Sequence, residues 1–298
     1  MSTTHTPETP DTNLRAERKR PFLLTGEGWP YLLVPLIPVA IFLELTHAGA
    51  VPVFVASALG VIPTAALMGR ATEELAARSG PGVGGFLNVT FGNAPELIIA
   101  LFALAAGLHE VVKASIVGSI LGNILLVLGV SMLVGGARRD RQRFEPRAAS
   151  AQSLMLLLAT VALIMPAIFE LVAGGGLPDP AARAIDFPDA LQEVSVGVAV
   201  VLLLSYAAGL LFSLKTHRAL FNPSHDEPEH GGEPWSVRKS ILMLALAGAA
   251  VGWMSEILVH SITEASETIG LSTFFVGVIV VAVVGNAAEH WVAVYFAA

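Results

Sequence analysis

The sequence predicts an all-α polytopic membrane protein, and three observations lead there. Of 298 residues, 54% are hydrophobic and only 14% are charged, against about 25% charged in an ordinary soluble domain. The apolar residues gather into eight runs long enough to cross a bilayer, which takes roughly 17–25 residues each. A short phrase also occurs twice, as Gly92-Asn93-Ala94-Pro95-Glu96 and as Gly285-Asn286-Ala287-Ala288-Glu289, and each copy puts a carboxylate inside an apolar run. An acidic side chain at bilayer depth costs a few kcal/mol or more, so it is seldom idle.

Residues 1–28 form a polar tail with basic residues Arg15, Arg18, Lys19 and Arg20. No small-residue cleavage site follows the first apolar run, so residues 29–48 are expected to remain as a leading transmembrane helix. Spans near 51–69, 83–107, 114–136, 150–172 and 191–213 make a first five-helix repeat over 51–213. Residues 214–237 form a loop carrying His225, Asp226, Glu227, Glu229, His230 and Glu233. It reads as a solvated linker or as an acidic cation sensor, and both readings stay open. Spans at 238–260 and 273–297 fill 238–298.

With the N-terminus in the cytoplasm and sides alternating, fifteen of the seventeen Lys and Arg residues fall inside, and only Lys113 and Arg183 fall outside. Short cytoplasmic loops carry such an excess in membrane proteins. The net charge of −7 gives no reason to expect a nucleic-acid partner. Cysteine is absent, which excludes disulfides, thiolate metal sites and cysteine nucleophiles. Any metal must be held by oxygen or imidazole.

Aligning the two phrases pairs the third span with the eighth. Upstream, Thr72-Glu73-Glu74-Leu75 parallels Ser255-Glu256-Ile257-Leu258. Five spans separate the copies, so they cross the membrane in opposite directions. Inverted repeats of this kind place a transport site near the midplane, between the halves. Gly92 and Pro95 weaken a helix and free carbonyl oxygens, and in the second copy Gly285 alone would permit a bend. Asn93 with Glu96, and Asn286 with Glu289, share helix faces. Two carboxylates, two amide oxygens, carbonyls and water supply the six to eight oxygens that Ca²⁺ prefers.

Gly118 and Gly122 form a small-residue stripe suited to close packing, while Ser119 and Asn123 could line the cavity. His290 is a candidate proton carrier, against the plainer reading of a packed histidine. Glu73 and Glu256 are candidates for ion entry or gating. Glu44, Glu170 and Glu193 lie near predicted span ends and read as interfacial.

The stretches TEELAARSGPGVGGFLNVTFGNAPELIIALFAL (72–104), VKASIVGSILGNILLVLG (112–129) and FFVGVIVVAVVGNAAEHWVAVYFA (274–297) closely resemble the calcium/proton exchangers of the cation/calcium antiporter superfamily. The resemblance runs from about residue 30 to the end. It implies a leading helix and two five-helix inverted repeats joined by an acidic cytoplasmic segment, with Glu96 and Glu289 binding the cation and Asn93 and Asn286 supporting them. It also implies that the second repeat is incomplete, with two helices where five are expected, which leaves open a truncated non-transporting product, a homo-oligomer or a complementing subunit. The implied activity is exchange of Ca²⁺, or another divalent cation, for protons across a membrane, with no cofactor and no enzymatic step. The alternatives are a sodium-driven exchanger of the same superfamily, whose phrases tend to carry hydroxyls where asparagine stands here, and an intramembrane metal enzyme, for which no His-Glu-x-x-His spacing exists. Arginine-rich loops and a compact tail suggest a bacterial inner membrane.

Overall fold

The computed structural model describes residues 28–137, 139–142, 146–173, 189–216 and 235–297, and all the regular structure among them is helical. The basic tail residues, most of the acidic loop with its histidines, and the outer loop around Arg183 lie outside the described residues. A 3-10 turn at Trp29–Leu33 leads into α1 (Leu36–Leu45), followed by α2 (Ala50–Arg78), α3 (Pro81–Gly92), α4 (Ala94–Ala105), α5 (His109–Leu121), α6 (Leu128–Gly136), α7 (Pro146–Ala173), α8 (Asp189–Leu211), α9 (Val237–Ile269) and α10 (Ala282–Ala297). Wide π-helical turns at Gly122–Val127 and Val276–Val281 join α5 to α6 and lead into α10.

The expected eight spans are not all reached. Among the described residues, six helical stretches are long and apolar enough to cross a membrane, or seven if the pair Val83–Gly92 and Ala94–Ala105, bent by 42°, is one span. The leading stretch Trp29–Leu45 is a shorter apolar helix, because Pro35 interrupts it and α1 ends at Leu45. The helix expected at 51–69 runs on to Arg78, and the one expected at 238–260 runs on to Ile269. Charged and polar residues continue both helices past the apolar run, so hydropathy alone ended them early. α9 stops where Gly270 adopts φ +74° and Leu271 donates back to the Ser266 carbonyl at 2.9 Å, a left-handed cap that glycine takes without strain.

The centre of the molecule is the pair α2 and α9. Gly60 faces Met254 in mid-span and Glu74 meets Trp235 at one end, so the two helices run antiparallel. Their contact buries Val61, Ile62, Met254, Leu258 and Ile262 together with Ile99 and Ala103 of α4. Buried hydroxyls in this layer bond back to their own helices: Thr64 to Val61 O at 2.7 Å, Thr72 to Met68 O at 2.8 Å and Ser255 to Val251 O at 2.6 Å. These three side chains therefore need no partner from the facing helix where α2 crosses α9.

Elsewhere the burial pattern is inverted relative to a water-soluble protein. Leucine, valine and methionine cover the outward faces of α5 to α8, with Leu133 75% and Val172 80% exposed. A surface so apolar needs lipid rather than water.

Candidate functional site

The first phrase breaks its helix and the second does not. Pro95 lacks a backbone N–H, so α3 ends at Gly92, Asn93 sits between the helices with φ −90° and ψ 4°, and α4 restarts with Pro95 in its first turn. Glu96 therefore stands in the first turn of α4, where the helix N-terminus favours a negative charge. Ala288 permits helix, so Glu289 lies inside the continuous α10. The bend expected at Gly285 is absent for this reason. The departure from α geometry on that side comes earlier, at the wide turn Val276–Val281.

The two phrases nevertheless converge. Asn286 is buried and reaches across to Glu96: its Nδ2 donates to Glu96 Oε1, to Ser119 Oγ at 3.2 Å and to the Ala282 carbonyl at 3.0 Å. Ser119 Oγ donates to the same Glu96 Oε1 at 2.6 Å. Glu96 is thus held by one donor from α5 and one from α10. Glu289 approaches from the other side, with Oε1 3.2 Å from where a Cβ on Gly92 would stand. Its side chain stays exposed. One carboxylate is tied by two donors, and the other has no side-chain hydrogen bond among the described residues.

The remaining candidates divide. Asn93 is exposed and its amide donates to Val89 O of its own helix at 3.1 Å, so the asparagines are not equivalent in this arrangement. Asn123 is exposed at the start of the wide turn Gly122–Val127, which takes it off the simple four-residue repeat shared with Ser119. His290 packs its Cε1 3.8 Å from where a Cβ on Gly122 would stand, and its buried Nε2 has no hydrogen-bond partner among the described residues. Glu256 lies exposed well inside α9, not at its end.

Gly118 is a packing residue. A Cβ there would run into the Val278 carbonyl and the Ala282 side chain, and one on Gly277 would meet Ala114. This close crossing of α5 with the wide turn Val276–Val281 is what brings Ser119 to Asn286.

Sequence reasoning missed two features. One is a clamp at the end of the central pair: the Trp235 ring lies 5.1 Å from the Arg70 guanidinium and 4.4 Å from the Lys239 ammonium, and its backbone N–H donates to Glu74 Oε2 at 2.9 Å. A tryptophan flanked by bases at a span end was the available signal. The other is the edge-on pair of Trp29 and Trp291, with ring centroids 5.9 Å apart, for which no local spacing gives notice.

This fold matches known transporters. The family model described as sodium/calcium exchanger protein matches residues 49–215 and 239–298, and the chain belongs to that family of membrane ion transporters. It is 40% identical over 264 residues to the Ca(2+)/H(+) antiporter ChaA of Bacillus subtilis (strain 168), covering 88% of this chain and 72% of that one. It is 38% identical over 298 residues to vacuolar cation/proton exchanger 1a of Oryza sativa subsp. japonica, covering 98% of this chain and 65% of the relative. Among solved structures it resembles native YfkE with a TM-score of 0.68 at 34% identity, over 90% of this chain and 72% of that one. A second structure, of the selenium-substituted Ca2+/H+ antiporter YfkE, gives 0.70 at 35% over the same shares.

Proposed function

We propose that this chain exchanges cytoplasmic Ca²⁺ for protons, with Glu96 and Glu289 as the shared site. The observation that carries this reading is the convergence of the two phrases: Glu96 is held by Asn286 from the opposite phrase, and Glu289 sits against Gly92. The names of relatives such as the antiporters of Bacillus subtilis and Aphanothece halophytica supply the ion pair, Ca²⁺ and H⁺.

The chemistry follows from charge. Two carboxylates facing one cleft at low dielectric repel each other, and either one divalent ion or two protons relieves the repulsion. Both ligands need the same oxygens, so they exclude each other. A site loaded either way is neutral and can change its exposure between the two faces, while the empty dianion resists doing so. Exchange results from that competition. Glu73, exposed near the end of α2, is the residue we assign to drawing a cation toward the open carboxylate. Ser119 and Asn286 hold Glu96 in position.

In everted membrane vesicles, an acid interior is expected to drive Ca²⁺ uptake, and Glu96→Gln or Glu289→Gln each to abolish it. Uptake retained by either variant removes the paired-carboxylate site. Uptake driven by a sodium gradient with no pH gradient favours the sodium-coupled alternative instead. The N-terminus is assigned to the cytoplasm on the distribution of Lys and Arg, and the membrane to a bacterial inner membrane on the arginine-rich loops and compact tail.

A further inference from the structure

The end of the central helix pair that carries the Trp235 clamp is a basic end. Arg70 is the first charged residue after the apolar run of α2, and Arg238 and Lys239 are the last before the apolar run of α9. The two helices are antiparallel, so these bases stand at one level, where the apolar surface stops. Trp235 stands there too, as tryptophan does at a membrane–water boundary. Its ring gathers charge: the Arg70 guanidinium lies 5.1 Å and the Lys239 ammonium 4.4 Å from the centroid. Cations drawn from different helices to one ring repel each other, and an anion beside them relieves the repulsion. At this end Glu74 Oε2 accepts the Trp235 backbone N–H. Arg238 and Lys239 are exposed, and neither pairs with a carboxylate among the described residues.

An apolar strip begins directly beside them. Ile241, Leu242 and Leu246 are each more than half exposed. Arg238 shares a helix face with Ile241 and Leu242, and Lys239 shares one with Leu242 and Leu246. A positive rim over a bare apolar strip fits a molecule with an anionic head and hydrocarbon tails. Free phosphate would satisfy the rim alone, and an acidic peptide would leave the strip uncovered.

We propose that the start of α9 binds an anionic phospholipid, with Arg238 and Lys239 holding the headgroup phosphate and Ile241, Leu242 and Leu246 lying along its acyl chains. Arg70 approaches the same ring from α2, so a bound headgroup also bridges the ends of the two central helices. The lipid thereby ties α2 to α9 where the Trp235 clamp already joins them. The site uses neither Glu96 nor Glu289, and its test does not depend on theirs.

The test follows Tm of the purified full chain in neutral detergent as dioleoyl phosphatidylglycerol, dioleoyl phosphatidylcholine or inorganic phosphate is added. Phosphatidylglycerol is expected to raise Tm saturably, because a ligand of the folded state stabilises it. The other two should leave it unchanged. Arg238→Gln and Lys239→Gln should each weaken the apparent affinity for phosphatidylglycerol about fivefold, the attraction of one base to an anionic headgroup. Leu242→Gln should weaken it with both bases in place. Arg238→Lys and Lys239→Arg keep the charge and should keep the affinity, which separates a lost site from a lost fold. Arg141→Gln removes an exposed base from another loop and should behave as the parent. No rise with phosphatidylglycerol, or the same rise with phosphatidylcholine, would overturn the site. A rise given by inorganic phosphate alone would show a free-anion site instead. A loss as large with Arg141→Gln as with Lys239→Gln would show a diffuse field, and either of these results also overturns the proposal.

Discussion

Glu96 and Glu289 stood out in the sequence, because a carboxylate repeated in an apolar run is costly and seldom idle. Their unequal roles were not. The phrases differ at one informative position, Pro95 against Ala288, and that difference puts Glu96 at a helix start and Glu289 within a helix. The asparagines follow suit. Asn286 donates to Glu96 while Asn93 donates to Val89 of its own helix, although sequence symmetry treats them alike. Asn286→Ala should therefore raise the KM for Ca²⁺ by about tenfold or more, the usual consequence of removing a hydrogen bond to a charged group, while Asn93→Ala should change it by no more than about twofold, within the spread of surface changes. Ser119→Ala should resemble Asn286→Ala, because both donate to the same oxygen. Vesicle uptake across a Ca²⁺ series ranks the three, and equal effects of the two asparagine changes would restore the symmetric reading.

Helices were legible as apolar runs, but their ends and irregularities were not. Hydropathy stopped α2 and α9 at the edge of the bilayer, whereas backbone hydrogen bonding carries them on to Arg78 and Ile269. No residue in Val276–Val281 announces a π-helical turn. The turn exists where α5 passes so close that Gly118 leaves no space for a Cβ. Gly118→Ala is accordingly expected to lower stability by about 1–3 kcal/mol, an overpacking penalty, read as a fall in Tm of the purified protein, while Gly129→Ala, with open space around it, leaves Tm unchanged. At the other end of the central pair, Trp235→Ala removes two cation–π contacts of about 0.5–1 kcal/mol each. It should loosen α2 from α9 and speed amide exchange at the start of α9. Unchanged exchange there would mean that the Glu74 hydrogen bond to the Trp235 backbone suffices.

For the molecule as a whole, the two phrases meet in one cleft although they stand at residues 92–96 and 285–289, and only the inverted repeat anticipated the meeting. Local periodicity contains no such information. Orientation in the membrane is open to direct labelling, because the chain has no native cysteine. A single cysteine at Ser79, just past α2, should react with an impermeant maleimide from the cytoplasmic side, and one at Thr268, near the end of α9, from the outside. The reverse pattern would invert the assigned topology. The most direct measurement of shared occupancy is proton release when Ca²⁺ is added to purified protein in weak buffer, from acid to neutral pH. Carboxylates that hold either ion should release protons as Ca²⁺ binds, and Glu96→Gln with Glu289→Gln should abolish both the binding and the release. Ca²⁺ that binds without displacing protons, or release that persists in the double variant, would contradict a common site.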